Sequence, residues 1–352
     1  MKENKKWALW VTGGFYGVLL IIMMVTYVVD PYFHFHKPSD SISYKLDEYN
    51  YINDGITRHF DFDAFITGTS LTECTRVADI NDIFGVNAVR LTFLGEGNKR
   101  IDYNTQKCLE MHDIKTVIRG LDTMYFISDK DYDHYDYYPE YLYDDDWTND
   151  TEYLLNIDVL NQETIPEIIR TLRGIPHAEF DQIADINERG SKAGVLAKYT
   201  RNDYLGQSLT QEDYDEYIKL LTENMEQNVI STIRDYPDTT FYIFFPPYSI
   251  LYFDELHQAG DDILKRRIVL EKQAIEMLLE CSNVKLFSFF NNFDMITNLD
   301  NYRDDCHYVA PFNKQILEWM AAGDYQLTKD NFEQYIDEIT DFYMNYDYDS
   351  VF

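Results

Sequence analysis

Three side chains at opposite ends of the sequence have the types needed for nucleophilic acyl chemistry. Ser70 ends the run Ala64-Phe65-Ile66-Thr67-Gly68-Thr69-Ser70. Asp304 and His307 stand in a D-x-x-H spacing within Asn298 to Tyr308. A serine hydroxyl is a weak nucleophile until a base takes its proton, and the base needs a carboxylate to hold its tautomer. In a loop or a first helical turn, residues three apart can touch. One short segment then supplies base and orienting acid, with His307 taking the Ser70 proton and Asp304 holding the imidazole. Thr69 or Ser70 could equally be a helix N-cap.

These residues need a scaffold. Ala64 to Ile66 is a short apolar run, Gly68 permits a sharp turn, and Leu71-Thr72-Glu73 can open a helix. A strand that stops at small residues and passes into a helix presents a hydroxyl at the rim of a sheet. Five such runs are expected as strands: Asp63–Thr67, Ala88–Phe93, Thr116–Leu121, Thr240–Phe245 and Val284–Phe289. Near-continuous apolar strands separated by helical stretches predict a parallel sheet covered on both faces, a three-layer α/β/α sandwich. Ile263 to Cys281 is one such helix. Leu264, Ile268, Ile275, Leu278 and Leu279 fall on one face, and Glu271 interrupts the apolar stripe.

Trp7 to Val29 carries no charge and, at ~1.5 Å per residue, spans roughly 35 Å, enough for a hydrocarbon core of ~30 Å. Lys2, Lys5 and Lys6 precede it, and no lysine follows until Lys37. The positive-inside rule puts the N-terminus in the cytoplasm and all after Asp30 outside. Val28-Val29-Asp30-Pro31-Tyr32 offers no small-residue cleavage site, so a retained single-pass anchor is expected over a signal peptide. The expected organisation is a stub and anchor over residues 1–30, an aromatic connector without clear period over 31–60, an α/β domain over 61–320 and a helical extension over 321–352. An insertion over 125–238 is expected to form either a lid or substrate platform or a packing elaboration of the domain. It carries helical stretches near Pro166–Leu172 and Glu212–Tyr236.

The net charge of −32 argues against nucleic acid as a partner. The 30 tyrosines fit a sugar-contacting surface as well as ordinary cores. The cysteines Cys74, Cys108, Cys281 and Cys306 form no CxxC pair, so zinc ribbon and thioredoxin readings find no support. No cofactor or metal is expected. His34 and His36 lack a third ligand. The acidic tract Asp129 to Glu140 has carboxylates at EF-hand positions 1, 3, 5 and 12, but His134 replaces the glycine and Pro139 sits where the exiting helix should begin. Cys306 beside His307 is not expected to form a dyad, since neighbours usually point apart. Were the triad to form, Cys74 and Cys306 could come close enough to bridge. Glu73 reads as a helix-dipole partner.

The motifs also resemble a family. Gly68 to Glu73, GTSLTE, resembles the nucleophile block of SGNH/GDSL hydrolases in a GTS form. Asp304 to His307, DDCH, looks like their D-x-x-H block. Leu94-Gly95-Glu96-Gly97 stands where that family has its glycine block, and Val117 to Asp122 where it has Gly-x-Asn. Phe244 to Ser249 resembles the end of its fourth strand. With one N-terminal anchor, the chain is similar to outward-facing Gram-positive relatives, including the DltD-like proteins of teichoic acid D-alanylation. The resemblance implies a flavodoxin-like sheet and a serine esterase or O-acyltransferase acting on a cell-surface glycan, teichoic acid or exopolysaccharide ester. Other envelope-modification proteins are implied as partners. It also implies an oxyanion hole built from Ser70, Gly95 (with Gly97 as competitor) and the position of Asp122. An ionised carboxylate there cannot donate a hydrogen bond. Asp122 is protonated, or orients a neighbour, or leaves an impaired site whose remaining use is binding or scaffolding.

Overall fold

The computed structural model describes the chain from Lys2 to Phe352 except residues 47, 136, 137 and 188. It falls into two compact units, Met1–Asp61 with Asp136–Glu179, and Phe62–Tyr135 with Phe180–Phe352. The stretch read as one insertion is therefore shared between both.

The first unit begins with the helix Lys2–Val29. Its segment Lys5–Val29 is long and apolar enough to cross a membrane; its most apolar stretch is not buried in protein, and only Thr26 and Val29 near its end are. Directly after it the Asp30 carboxylate accepts the backbone N–H groups of His34, Phe35 and His36 at 2.8–3.0 Å. The chain thereby turns sharply off the helix. Tyr153 donates to Asp30 at 3.0 Å and stacks on Tyr32. The connector contains a helix, Tyr49–His59, which the aperiodic sequence did not announce. Its buried face includes Asn53, Asp54 and Thr57, so polar residues interrupt the apolar stripe that marks a helix in sequence.

The second unit is built on a six-stranded sheet of order β2-β1-β3-β4-β5-β6. The strands are Ala64–Gly68, Ala88–Thr92, Thr116–Gly120, Thr240–Phe245, Val284–Ser288 and Gln326–Leu327. The first five are parallel and match the five apolar runs to within a residue or two. The expected count of five is corrected by β6. It pairs antiparallel with β5 through Leu286–Leu327 and Phe287–Gln326, and two residues are too short to leave a periodic signal.

Strand order fixes the layers. The crossover from β1 to β2 runs toward one edge, and those from β2 onward run toward the other. Right-handed connections then put the helix Val77–Phe84 on one face and the helices Asn98–Met111, Gln211–Met225 and Asp261–Leu279 on the opposite one. The helix Ala310–Ala322 packs with Val77–Phe84. The helix Phe332–Asn345 packs on Asp261–Leu279. Glu271, the charge that breaks that helix's stripe, is buried and paired with Arg267 at 2.7 Å, and Ser288 and Tyr335 donate to it. A buried carboxylate persists where partners replace its water. The chain reverses direction between β1 and β3, and ligands of open α/β sheets gather at the C-terminal ends of strands beside such a reversal.

Candidate active site

Ser70 lies two residues past the end of β1 and Asp122 two past the end of β3, so both flank that reversal. The turn at Ser70 is forced by close packing. Gly68 has φ 152°, and a Cβ there would stand 2.8 Å from the Gly120 carbonyl and 2.8 Å from Thr72 Cγ2. A Cβ on Gly120 would meet the same Thr72 methyl at 2.7 Å. Two strand ends and a threonine thus close on one point that admits no side chain at either glycine. Beyond it comes a single 3₁₀ turn, Ser70–Thr72, with Thr69 as its cap, and the first α-helix on this side starts only at Val77. The capping role open to either residue falls to Thr69. Ser70 is left half-buried, with its hydroxyl toward His307.

The D-x-x-H segment is a closed loop. Tyr302 and Tyr308 form an antiparallel bridge, and Arg303 N–H donates to the His307 carbonyl at 2.8 Å. Three contacts fasten the loop to the sheet rim. Tyr308 hydroxyl donates to the Leu71 carbonyl at 2.8 Å, Tyr302 hydroxyl to the Pro247 carbonyl at 3.1 Å, and Ser249 hydroxyl to the Asp305 carbonyl at 2.6 Å. The result brings the three expected residues together. Ser70 Oγ lies 2.8 Å from His307 Nε2. His307 Nδ1 lies 2.9 and 3.0 Å from the two Asp304 oxygens. Asp304 Oδ1 also accepts the backbone N–H groups of His307 at 2.7 Å and Cys306 at 3.1 Å. Burial pushes the Asp304 carboxyl up. The hydrogen bonds and charge of His307, with those two N–H groups, outweigh it and hold the carboxyl well below its usual range. Asp304 therefore stays ionised, and an acceptor on Nδ1 leaves Nε2 free to take a proton from Ser70.

Asp122 behaves oppositely. It is 3% exposed. One oxygen accepts the Thr69 hydroxyl at 3.0 Å. The other accepts Met124 N–H at 3.0 Å and the Tyr248 hydroxyl. Burial raises its pKa, while the Tyr248, Met124 and Thr69 bonds pull it back. Of the three readings open for this residue, the geometry matches orientation of a neighbour. The carboxyl serves as an acceptor that holds the cap residue next to Ser70, and it ties that turn to Tyr248 beyond β4. In the sequence Tyr248 stands out only as part of a strand end. A tyrosine just past two prolines on an apolar strand was the available signal.

The glycine block adjoins the first part of the acidic tract. Gly95 has φ 72°, and a Cβ there would sit 3.4 Å from His134 and from the Tyr135 hydroxyl. Tyr125 hydroxyl donates to the Gly95 carbonyl at 2.7 Å. Asp133, an EF-hand-like position, is held by Lys99 and Arg100 at 2.7 Å each. Positions 136 and 137 of that tract lie outside the described residues. At Gly97 a Cβ would stand 2.9 Å from the Tyr132 ring.

Two cysteine expectations need revision. Cys306 does not point away from its neighbour. Its Sγ lies 3.3 Å from His307 Nδ1 and 3.6 Å from Asp304 Oδ1, because the carboxylate gathers the N–H groups of both residues and curls the loop around itself. No bridge joins it to Cys74. Both thiols are free, and Cys74 is buried against Ala184 and Ala310. A large polar cleft of about 480 Å³ lies elsewhere in the second unit, lined by residues including Arg201, Tyr204, His257 and Tyr348 and by none of the three acyl-chemistry residues.

No family model and no curated protein matches this chain. Among solved structures, one from Streptococcus pneumonia, provisionally described as a platelet activating factor, is similar at 12% identity and a TM-score of 0.38. The match covers 79% of this chain and 91% of that one.

Proposed function

We propose that this chain is a serine-dependent ester hydrolase or O-acyltransferase of the SGNH type, held at the outer face of a membrane by residues 7–29. The observation that carries the reading is the continuous path from Ser70 Oγ to His307 Nε2 at 2.8 Å and from His307 Nδ1 to Asp304 at 2.9 Å. It joins residues 237 positions apart at one rim of the sheet. The 2-1-3-4-5 order of the parallel strands is that of flavodoxin-like folds and supports the same assignment.

In this reading Ser70 Oγ attacks the ester carbonyl carbon as its proton passes to His307 Nε2. The carbonyl π pair moves to oxygen and is stabilised by the backbone N–H groups of Ser70 and Gly95. Collapse of the tetrahedral species breaks the bond to the alcohol, which leaves with the proton from His307. Water, or a hydroxyl of a sugar or polyol, repeats the sequence on the acyl-Ser70 ester and restores the serine. Asp122, an acceptor, contributes no donor to the oxyanion. One missing donor costs ~10²–10³ in rate. The tether and the net charge of −32 favour a neutral or amine-bearing envelope ester as substrate, such as an acylated glycan or a D-alanylated teichoic acid.

A second reading follows from the same Asp122 observation: an impaired relative that binds an envelope polymer and assists its modification. Rapid mixing of the full-length protein in detergent micelles with an activated acetyl ester separates the two. The enzyme gives a burst of released alcohol equal to the protein concentration, an acetyl group recoverable on Ser70, and partition of that group between water and added glycerol. A binding protein gives neither burst nor adduct.

A further inference from the structure

We propose that Asp304, Cys306 and His307 form a binding site for a thiophilic divalent cation, zinc above all, and that occupancy switches the Ser70 centre off. Three different donor atoms converge on the side of the imidazole facing away from Ser70. Asp304 Oδ1, Cys306 Sγ and His307 Nδ1 lie within 4.8 Å of one another, and this is the one such cluster among the described residues. Their separations are 2.9 Å for oxygen to nitrogen, 3.3 Å for sulfur to nitrogen and 3.6 Å for sulfur to oxygen. Zinc binds sulfur at about 2.3 Å and imidazole nitrogen or carboxylate oxygen at about 2.0–2.2 Å. A tetrahedron with those bonds has edges of roughly 3.4–3.6 Å. The loop thus already presents nearly one face of a zinc polyhedron, with the oxygen-to-nitrogen edge having to open by about half an ångström and the sulfur-to-nitrogen edge by about a quarter.

The site is reachable and built from mixed ligands. The side chains of His307 and Asp304 are 25% and 31% exposed. One hard, one intermediate and one soft donor select zinc, cadmium or cobalt over magnesium or calcium.

The consequence rests on the serine chemistry proposed above. A cation on Nδ1 takes the lone pair that must otherwise carry the proton donated to Asp304. The imidazole then holds its single proton on Nε2 and donates it to Ser70 Oγ across the 2.8 Å contact. A nitrogen already bearing a proton cannot accept another, so the serine loses its base. The balance is simple. The Nδ1 proton is transferred to Nε2, the thiol proton leaves to solvent, and a sulfur–metal bond replaces the sulfur–hydrogen bond.

The test uses full-length protein in detergent micelles and two readouts. Cobalt(II) should give a thiolate-to-cobalt charge-transfer band in the wild type. Ser70→Ala should keep the band, and Cys306→Ala and Cys306→Ser should lose it. The other thiols, Cys74, Cys108 and Cys281, are buried, so they do not substitute. Zinc(II) at micromolar concentration should slow fluorophosphonate labelling of Ser70 at least 10-fold in the wild type. It should slow either Cys306 variant less than 2-fold, relative to that variant's own metal-free rate. A folded wild type with no charge-transfer band overturns the site, and so does a band that survives in both variants. A normal band with undiminished labelling overturns the switch. If the metal-free protein does not label at all, the serine reading has failed, and the cobalt band still decides the site.

Discussion

Two carboxylates on the same rim of the sheet are set to opposite tasks by their surroundings. Asp304 sits in the closed loop between Tyr302 and Tyr308, partly open to water, with an imidazole and two backbone N–H groups on it. Asp122 sits past β3 under the nucleophile turn, out of water, with two hydroxyls and one N–H on it. The first is held well below its usual pKa and the second is raised by burial. Environments that drive two titratable groups apart assign their roles. Here they leave Asp304 as the charge that orients His307, and Asp122 as the acceptor that fixes Thr69 beside Ser70.

The largest expected effect breaks the link between the two regions altogether. Ser70→Ala or His307→Ala should lower turnover of an activated ester by about 10⁵-fold or more with the fold intact, as judged by circular dichroism. Asp304→Asn should cost about 10³–10⁴ in kcat, since an amide cannot hold the working tautomer, with KM little changed. Asp122→Asn tests the other half. It keeps one acceptor oxygen and the shape, so kcat should fall by no more than about 10-fold. A loss as large as that of Asp304→Asn would mean that both acids serve the imidazole.

Stability should separate the pair by sign. The folded pKa of Asp304 lies below its free value, so its contribution is complete above about pH 4 and is lost as pH falls further. That of Asp122 lies above its free value, so its contribution is complete below about pH 4 and is lost as pH rises toward the folded pKa. Melting temperatures measured from pH 3 to pH 8 should show Asp304→Asn falling further behind the wild type as pH rises through that lower range. Asp122→Asn should gain on the wild type over the same rise. Parallel curves would contradict the contrast. The smallest effect is expected from Tyr308→Phe, which removes the 2.8 Å tie between the loop and Leu71. It should cost about 1 kcal/mol of stability and a few-fold in rate.

The sequence carried this comparison unevenly. Strands β1 to β5 are legible because a strand covered on both faces is predominantly apolar, and the five runs are short and set between helical stretches. Ser70, His307 and Asp304 are legible because the chemistry restricts residue type and the loop restricts spacing. The task of Asp122 is not, because it depends on which donors meet it, and Thr69 and Tyr248 lie 53 and 126 positions away. Strand β6 is set by pairing with β5 over two residues. The approach of Cys306 to His307 is set by a carboxylate that collects consecutive N–H groups, which side-chain alternation does not foresee.

The most direct test of the central claim is fluorophosphonate labelling of the full-length protein, followed by peptide mapping. The account predicts one phosphonyl adduct per chain, on Ser70, that vanishes in Ser70→Ala and slows by orders of magnitude in His307→Ala. Labelling undiminished in Ser70→Ala would contradict it, as would a folded wild-type protein that takes up no probe.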